Sequence, residues 1–221
     1  MTDSNFFYSR RLLYGIWLIS LIVGYIIVAN IGKGDAVLFL NQHYGKFTVP
    51  FFSLMTRMGE GMGFIIPFLY FLFFKPYKFQ VGHLLVGVLT LVLVYFFKHI
   101  VYPDAIRPIV YFEQLNIDLL NRSDIPLNRK YTFPSGHTTA GFAYFFYAAL
   151  SANKRVFSLL FFSTAVLIGV SRIFLAQHFL IDVLAGSTLG VAIASVVFYF
   201  VIHKNVFKSS ALDKRLIDVK G

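Results

Sequence analysis

The chain has no cysteine and very little charge. Without cysteine there is no disulfide, no thiolate nucleophile and no cysteine-based zinc site. Only 14% of its residues are charged, against about 25% in an ordinary soluble domain. Acidic side chains are the scarcer sign, 10 against 20 Lys and Arg, which leaves a net charge of +10. What fills the 221 residues instead is apolar: 57% are hydrophobic, with 27 Phe and 13 Tyr, and the mean hydropathy is +0.71. The composition is that of an integral membrane protein forming one compact unit, residues 1–203, followed by a polar cytoplasmic tail, 204–221. In a soluble protein such a positive charge would suggest nucleic acid. Here the basic residues lie between apolar runs, so the expected partners are membrane lipids and an anionic substrate, with no nucleic acid.

A membrane helix needs about 20 mainly apolar residues. Leu12–Gly32, Phe79–Phe97, Ser135–Asn153, Val156–Ser171 and Val183–Ile202 read as spans. Gly61–Phe74 is shorter, contains Pro67, and is read as a further span that borrows a turn at each end. Asp35–Glu60 alternates polar and aromatic residues and is expected to lie in the interface as short helix. The fold class is therefore all-α, with six transmembrane helices in one bundle. Arg10-Arg11, Lys75 and Lys78, Lys154-Arg155 and the Lys/Arg-bearing tail through Lys220 fall on one side, which the positive-inside tendency makes cytoplasmic, with both termini there. Lys98, Arg107, Arg122, Arg129, Lys130 and Arg172 land on the outer side, so their charges need another reason.

That outer side also collects the remaining polar residues. Lys98 ends the third span, Arg107-Pro108 follow in the loop, Pro134-Ser135-Gly136-His137 open the fourth, Ser171-Arg172 close the fifth, and His178 and Asp182 open the sixth. Three cations brought together repel unless an anion lies between them, and Arg and Lys are the phosphate-binding side chains. A helix starting at Gly136 points free N–H groups outward as an anion site, with Gly136 permitting close approach and Ser135 adding a hydroxyl. His178 and Asp182, spaced i, i+4, share a helix face, so the carboxylate can fix the imidazole tautomer and leave the other nitrogen to attack. An acid one turn into a span is costly and usually functional. His137 is then free to protonate a leaving oxygen. Together these describe phosphoryl transfer through a phosphohistidine. His99, His43 and His83 are read as interfacial or structural, His203 as an inner-boundary residue, and Arg57 and Glu60 as shaping the substrate entrance.

Lys98…Arg107-Pro108, Pro134-Ser135-Gly136-His137 and Ser171-Arg172-x5-His178-x3-Asp182 resemble the three motifs of the type-2 phosphatidic acid phosphatase superfamily, which includes bacterial lipid phosphate phosphatases and is related to vanadium haloperoxidases. The second and third motifs match in full. The first has eight residues between Lys98 and Arg107, where six is common in the family. The resemblance implies His178 as nucleophile, Asp182 as its orienting partner and His137 as general acid. It implies Lys98, Arg107, Ser135, Gly136 and Arg172 as phosphate ligands, no metal or other cofactor, and a site on the periplasmic face of a bacterial inner membrane. A lipid phosphotransferase would use the same residues, and a vanadate-dependent haloperoxidase would use the same cradle. A non-catalytic lipid-binding or transport protein would keep the cations without needing His137, His178 and Asp182 together. The lipid itself is left open among undecaprenyl diphosphate, phosphatidylglycerol phosphate, phosphatidic acid and lipid A.

Overall fold

A computed structural model describes residues 3–120 and 126–216, with side chains from Arg10 onward. Arg122 and Lys220 lie outside the described residues. All the regular structure among these residues is helical. Long helices α1 (Asp3–Asn30), α5 (Tyr77–Phe96), α8 (Arg155–Phe174) and α9 (Leu180–Val197) alternate with shorter ones: α2 (Asp35–Asn41), α3 (Thr48–Arg57), α4 (Gly61–Phe74), α6 (Pro108–Gln114) and α7 (Gly136–Ser151). The ends of α5 and α9 widen into single i→i+5 turns, Phe97–Val101 and Phe198–His203. Such turns are rare and frequent at functional sites, and the first of them carries Lys98.

The segments Arg10–Asn30, Tyr77–Val101, Arg155–Phe174 and Leu180–His203 are long and apolar enough to cross a bilayer, and α3 with α4 forms a fifth candidate if this pair, bent by 64°, counts as one span. The protein is thus a helical membrane protein with four to five candidate spans on this criterion. Two of the six expected spans fall short of it. The 14 residues of α4 cover about 21 Å and the 16 of α7 about 24 Å, against a hydrocarbon core of about 30 Å. The stretch expected to lie in the interface becomes α2 and α3 packed on α8, with α3 running into α4 across Gly59 and Glu60.

Helix α7 is the axis of the bundle. Every side chain from Thr138 to Ser151 is buried, chiefly against α8 and α9 and then α5. The approach to α9 is set by Gly186 and Gly190. A Cβ at Gly190 would lie 2.5 Å from the Thr139 carbonyl oxygen and 2.7 Å from Phe142 Cβ, and one at Gly186 would lie 2.8 Å from the Ser135 carbonyl oxygen. Two small residues four apart let the backbones meet, which is how helices gain packing in lipid. This seam fixes the start of α7 against the start of α9. By contrast α1 turns Leu18, Ile19, Ile22, Val23 and Ile26 outward and is tied in by Tyr14 Oη donating to Ser195 Oγ and Arg10 Nε donating to the Leu150 carbonyl.

At the end of the molecule away from the start of α7, the chain after α9 returns to α5. Tyr77 and Lys78 N–H donate to the carbonyls of Lys214 and Leu212, and Lys78 pairs with Asp213 at 2.8 Å. Lys75, buried nearby, donates to Asn153 Oδ1; burial and the neighbouring Arg215 and Arg10 lower its pKa to about 8.

Candidate active site

All eight residues singled out by the motifs meet at one end of the bundle. The turn between α8 and α9 is closed by the N–H groups of Gln177 and His178, both donating to the Arg172 carbonyl, with Ala176 in the left-handed region at φ 52°. It places His178, 1% exposed, directly above α9. Arg107 Nη1 points at His178 Nε2 across 3.2 Å. A guanidinium can only donate, so Nε2 is an acceptor and the ring proton sits on Nδ1. On that side, Nδ1 lies 3.4 Å from Asp182 Oδ2 and 3.2 Å from Thr132 Oγ1. Asp182 Oδ2 accepts from the Phe179 N–H at 3.0 Å and from Thr132 Oγ1 at 2.5 Å. The imidazole is held neutral: burial first, then the fields of Arg107, Arg172 and Lys98, push its pKa well below the ordinary value.

Two of the cations, Arg107 and Lys98, are fixed by backbone oxygens, and the third, Arg172, by a hydroxyl. Arg107 donates through Nε to the Lys130 carbonyl and through Nη1 to the Gln177 carbonyl, and is 6% exposed. Burial lowers its pKa to about 10, with Asp182 acting in the opposite sense; it keeps its charge at neutral pH. Lys98 Nζ donates to the Tyr131 carbonyl and lies 3.8 Å from where a Cβ on Gly136 would stand. Arg172 Nη1 donates to Thr56 Oγ1, while its buried Nε has no hydrogen-bond partner among the described residues. A buried donor without a partner costs free energy unless an acceptor arrives, which suits a phosphate oxygen.

Ser135 caps α7, its Oγ accepting from the Thr138 N–H and hydroxyl, while its own N–H donates to the Asp182 carbonyl. The first-turn amides of Gly136 and His137 take no intrahelical bond and carry the positive end of the helix dipole. His137 Nε2 lies 2.7 Å from Glu60 Oε1, and Gly59 passes so close that a Cβ there would be 2.9 Å from His137 Cβ. A cavity of about 810 Å³ ends at Lys98, His137 and Glu60. Its walls are Phe64 of α4, Leu91 and Val94 of α5, and Ala140 and Tyr144 of α7. Leu91 and Tyr95 on its rim are exposed on the outer surface of the bundle, so the cavity opens sideways.

A model of the PAP2 superfamily matches residues 79–205. The chain belongs to the PAP2 superfamily. It is a membrane phosphatase of that superfamily. Among solved structures, LpxE of Aquifex aeolicus is similar with a TM-score of 0.64 and 22% identity, covering 76% of this chain and 96% of its own. The first transmembrane PAP2-type phosphatidylglycerolphosphate phosphatase from Bacillus subtilis is similar with a TM-score of 0.62 and 20% identity, covering 91% of this chain and 100% of its own. At these identities the likeness is one of fold. No curated protein matches the sequence.

Three residues at the site were invisible to motif reading. Thr132 stands two positions before Pro134 and Gln177 next to His178, so chain proximity was their only signal. Thr56 has none, being 116 residues from Arg172. Glu60, expected to shape the entrance, is also the partner of His137. No group of three or more His, Asp or Glu side chains is arranged to hold a metal ion among the described residues.

Proposed function

We propose that this PAP2 protein hydrolyses the phosphate or diphosphate monoester of an envelope lipid through a phosphohistidine. The observation that carries the reading is the sideways-opening apolar cavity ending at Lys98 and His137. An acyl or prenyl chain fits such walls, and the phosphate at its end would reach the cationic cluster without leaving the membrane. Arg107, Arg172 and Lys98, with Ser135 and the amides at Gly136, hold the phosphate and offset the charge that develops on its oxygens. His178 Nε2, neutral and facing Arg107, attacks phosphorus. The bond to the lipid oxygen breaks, and that oxygen takes its proton from His137. Water then attacks the phosphohistidine, with His137 accepting its proton, and releases phosphate.

The reading includes six crossings. A helix sheathed by its neighbours, as α7 is, need not match the hydrocarbon thickness, and the bent α3–α4 pair supplies the second crossing. Both termini then share the cytoplasmic side of a bacterial inner membrane, and the site faces the periplasm. The cationic cluster supplies the charge stabilisation, so no metal or other cofactor is required.

The deciding experiment is phosphate release by detergent-purified protein in EDTA, with undecaprenyl diphosphate, phosphatidylglycerol phosphate, phosphatidic acid and lipid A as substrates, beside His178→Ala. Release from one of these, abolished in the variant, is the expected result. Full activity in His178→Ala, or activity only with added metal, sinks the mechanism. Transfer to a second lipid without phosphate release identifies a phosphotransferase instead.

A further inference from the structure

We propose that Thr132 is a positioning residue that carries the hydrogen bond between His178 and Asp182, so that the nucleophile is oriented through a hydroxyl rather than by the carboxylate directly. The inference rests on the assignment of His178 as nucleophile. Its basis is the crowding at one oxygen. Asp182 Oδ2 faces three donors: Thr132 Oγ1 at 2.5 Å, the Phe179 N–H at 3.0 Å and His178 Nδ1 at 3.4 Å. A carboxylate oxygen has two lone pairs, and the two nearer donors occupy them. The imidazole N–H is the one left over, at a separation where a hydrogen bond is weak. Thr132 Oγ1 is closer to it, at 3.2 Å. The hydroxyl donates its single proton to Asp182 and still has lone pairs to accept from Nδ1. The chain of donors therefore runs from His178 Nδ1–H to Thr132 Oγ1–H to Asp182 Oδ2.

The backbone holds Thr132 in that place. Its N–H donates to the Ala105 carbonyl, the Arg107 N–H donates to the Arg129 carbonyl, and Arg107 Nε donates to the Lys130 carbonyl. The strand of chain that carries the hydroxyl is thus clipped to the strand that carries the Arg107 guanidinium. Thr132 is 4% exposed, so water does not replace its hydroxyl cheaply. When Nε2 bonds to phosphorus and the lipid oxygen leaves with a proton from His137, the ring keeps its Nδ1–H and becomes cationic. No proton moves through Thr132. The hydroxyl oxygen and the carboxylate behind it stabilise the new charge and keep the ring in the plane of attack.

The test compares Thr132→Val, which removes the hydroxyl and keeps the branched shape, with Thr132→Ser, which keeps the hydroxyl. Expected is a fall in kcat of about tenfold or more in Thr132→Val with KM within about twofold, and recovery to within about threefold in Thr132→Ser. In combination with Asp182→Asn the two losses do not add, because both act through one hydrogen-bonded chain. A Thr132→Val protein with wild-type kcat overturns the proposal. So does a loss that serine does not restore, or one that adds in full to that of Asp182→Asn. Thermal unfolding in detergent checks folding; if valine is not tolerated, Thr132→Ala beside Thr132→Ser gives the same contrast. Wild-type protein that releases phosphate, a dead His178→Ala and a normal Thr132→Val remove Thr132 alone. Wild-type protein that releases none from any of the four lipids overturns the underlying reading and this proposal with it.

Discussion

His83 and His178 are both buried imidazoles, 0% and 1% exposed, and they stand in opposite surroundings. His83, on α5, is boxed in by aromatic rings: Phe64 stacks on it at 4.5 Å, Phe71 lies at 5.3 Å and Tyr144 at 5.5 Å. Its Nε2 lies 2.9 Å from the Phe64 carbonyl, and its Nδ1 has no partner among the described residues. His178 has polar neighbours on both nitrogens, a guanidinium on one and a hydroxyl and a carboxylate on the other. Burial is common to the two. What sets the proposed nucleophile apart from a packing histidine is that its second nitrogen is held as a lone pair facing charge.

The two imidazoles differ most in what their removal costs. His178→Ala is expected to lose activity on the order of 10⁴-fold or more, while His83→Ala keeps kcat within about threefold, both read as phosphate release. A large activity loss in His83→Ala would erase the distinction. The next effect is on the proposed proton donor. His137→Ala is expected to cost about 10²–10⁴-fold in kcat, and Glu60→Gln a smaller loss of about tenfold in kcat with KM little changed, since the pair is half-exposed and solvent can replace part of the contact. Equal KM and kcat effects in Glu60→Gln would make it a substrate contact instead.

In the proposed mechanism only neutral His178 attacks; its pKa is depressed, so the neutral form survives to lower pH than a free imidazole would. The acid limb of kcat/KM is expected below the ordinary value of roughly 6.5. Lys98→Met removes one of the depressing cations and is expected to move that limb upward, measured as a shift of the apparent pKa. The smallest effect is on stability. His83→Ala deletes the donor to the Phe64 carbonyl and hollows the aromatic box, at a cost of about 1–3 kcal/mol, seen as a lower unfolding temperature in detergent. His178→Ala, which removes a desolvated imidazole, is expected to lower it less.

The residues that motif reading picked out come together in the structure and are chemically conspicuous: His178, Asp182, Arg172 and Arg107 are polar side chains beside apolar runs. Motif reading missed Thr132 because a threonine two residues before a proline looks like loop. It could not find the Arg172–Thr56 or His137–Glu60 contacts, whose partners are 116 and 77 residues apart. Hydropathy found α1, α5, α8 and α9 well, and for a physical reason: helices with a lipid face must be long and apolar. It placed α7 and α4 as spans, and these two fall below span length. Helix α7, shielded on every side, answers to its neighbours rather than to the bilayer; α4 keeps an exposed apolar face and is short because the chain bends into it from α3.

Composition and motif spacing were enough to fix the solvent and the family. Scarce charge and long apolar runs require a membrane, and the pattern over residues 79–205 places the chain in the PAP2 superfamily. Tertiary structure alone decided the working arrangement. The Gly186–Gly190 seam brings the start of α7 against α9, the turn at Ala176 lifts His178 over Asp182, and the return of residues 129–132 beside Arg107 inserts the Thr132 hydroxyl between them. Spacing along a chain fixes which residues share a helix face. Which backbones can approach closely enough to bring those faces together depends on glycine contacts and loop hydrogen bonds from distant segments, and these exist only once the bundle has formed.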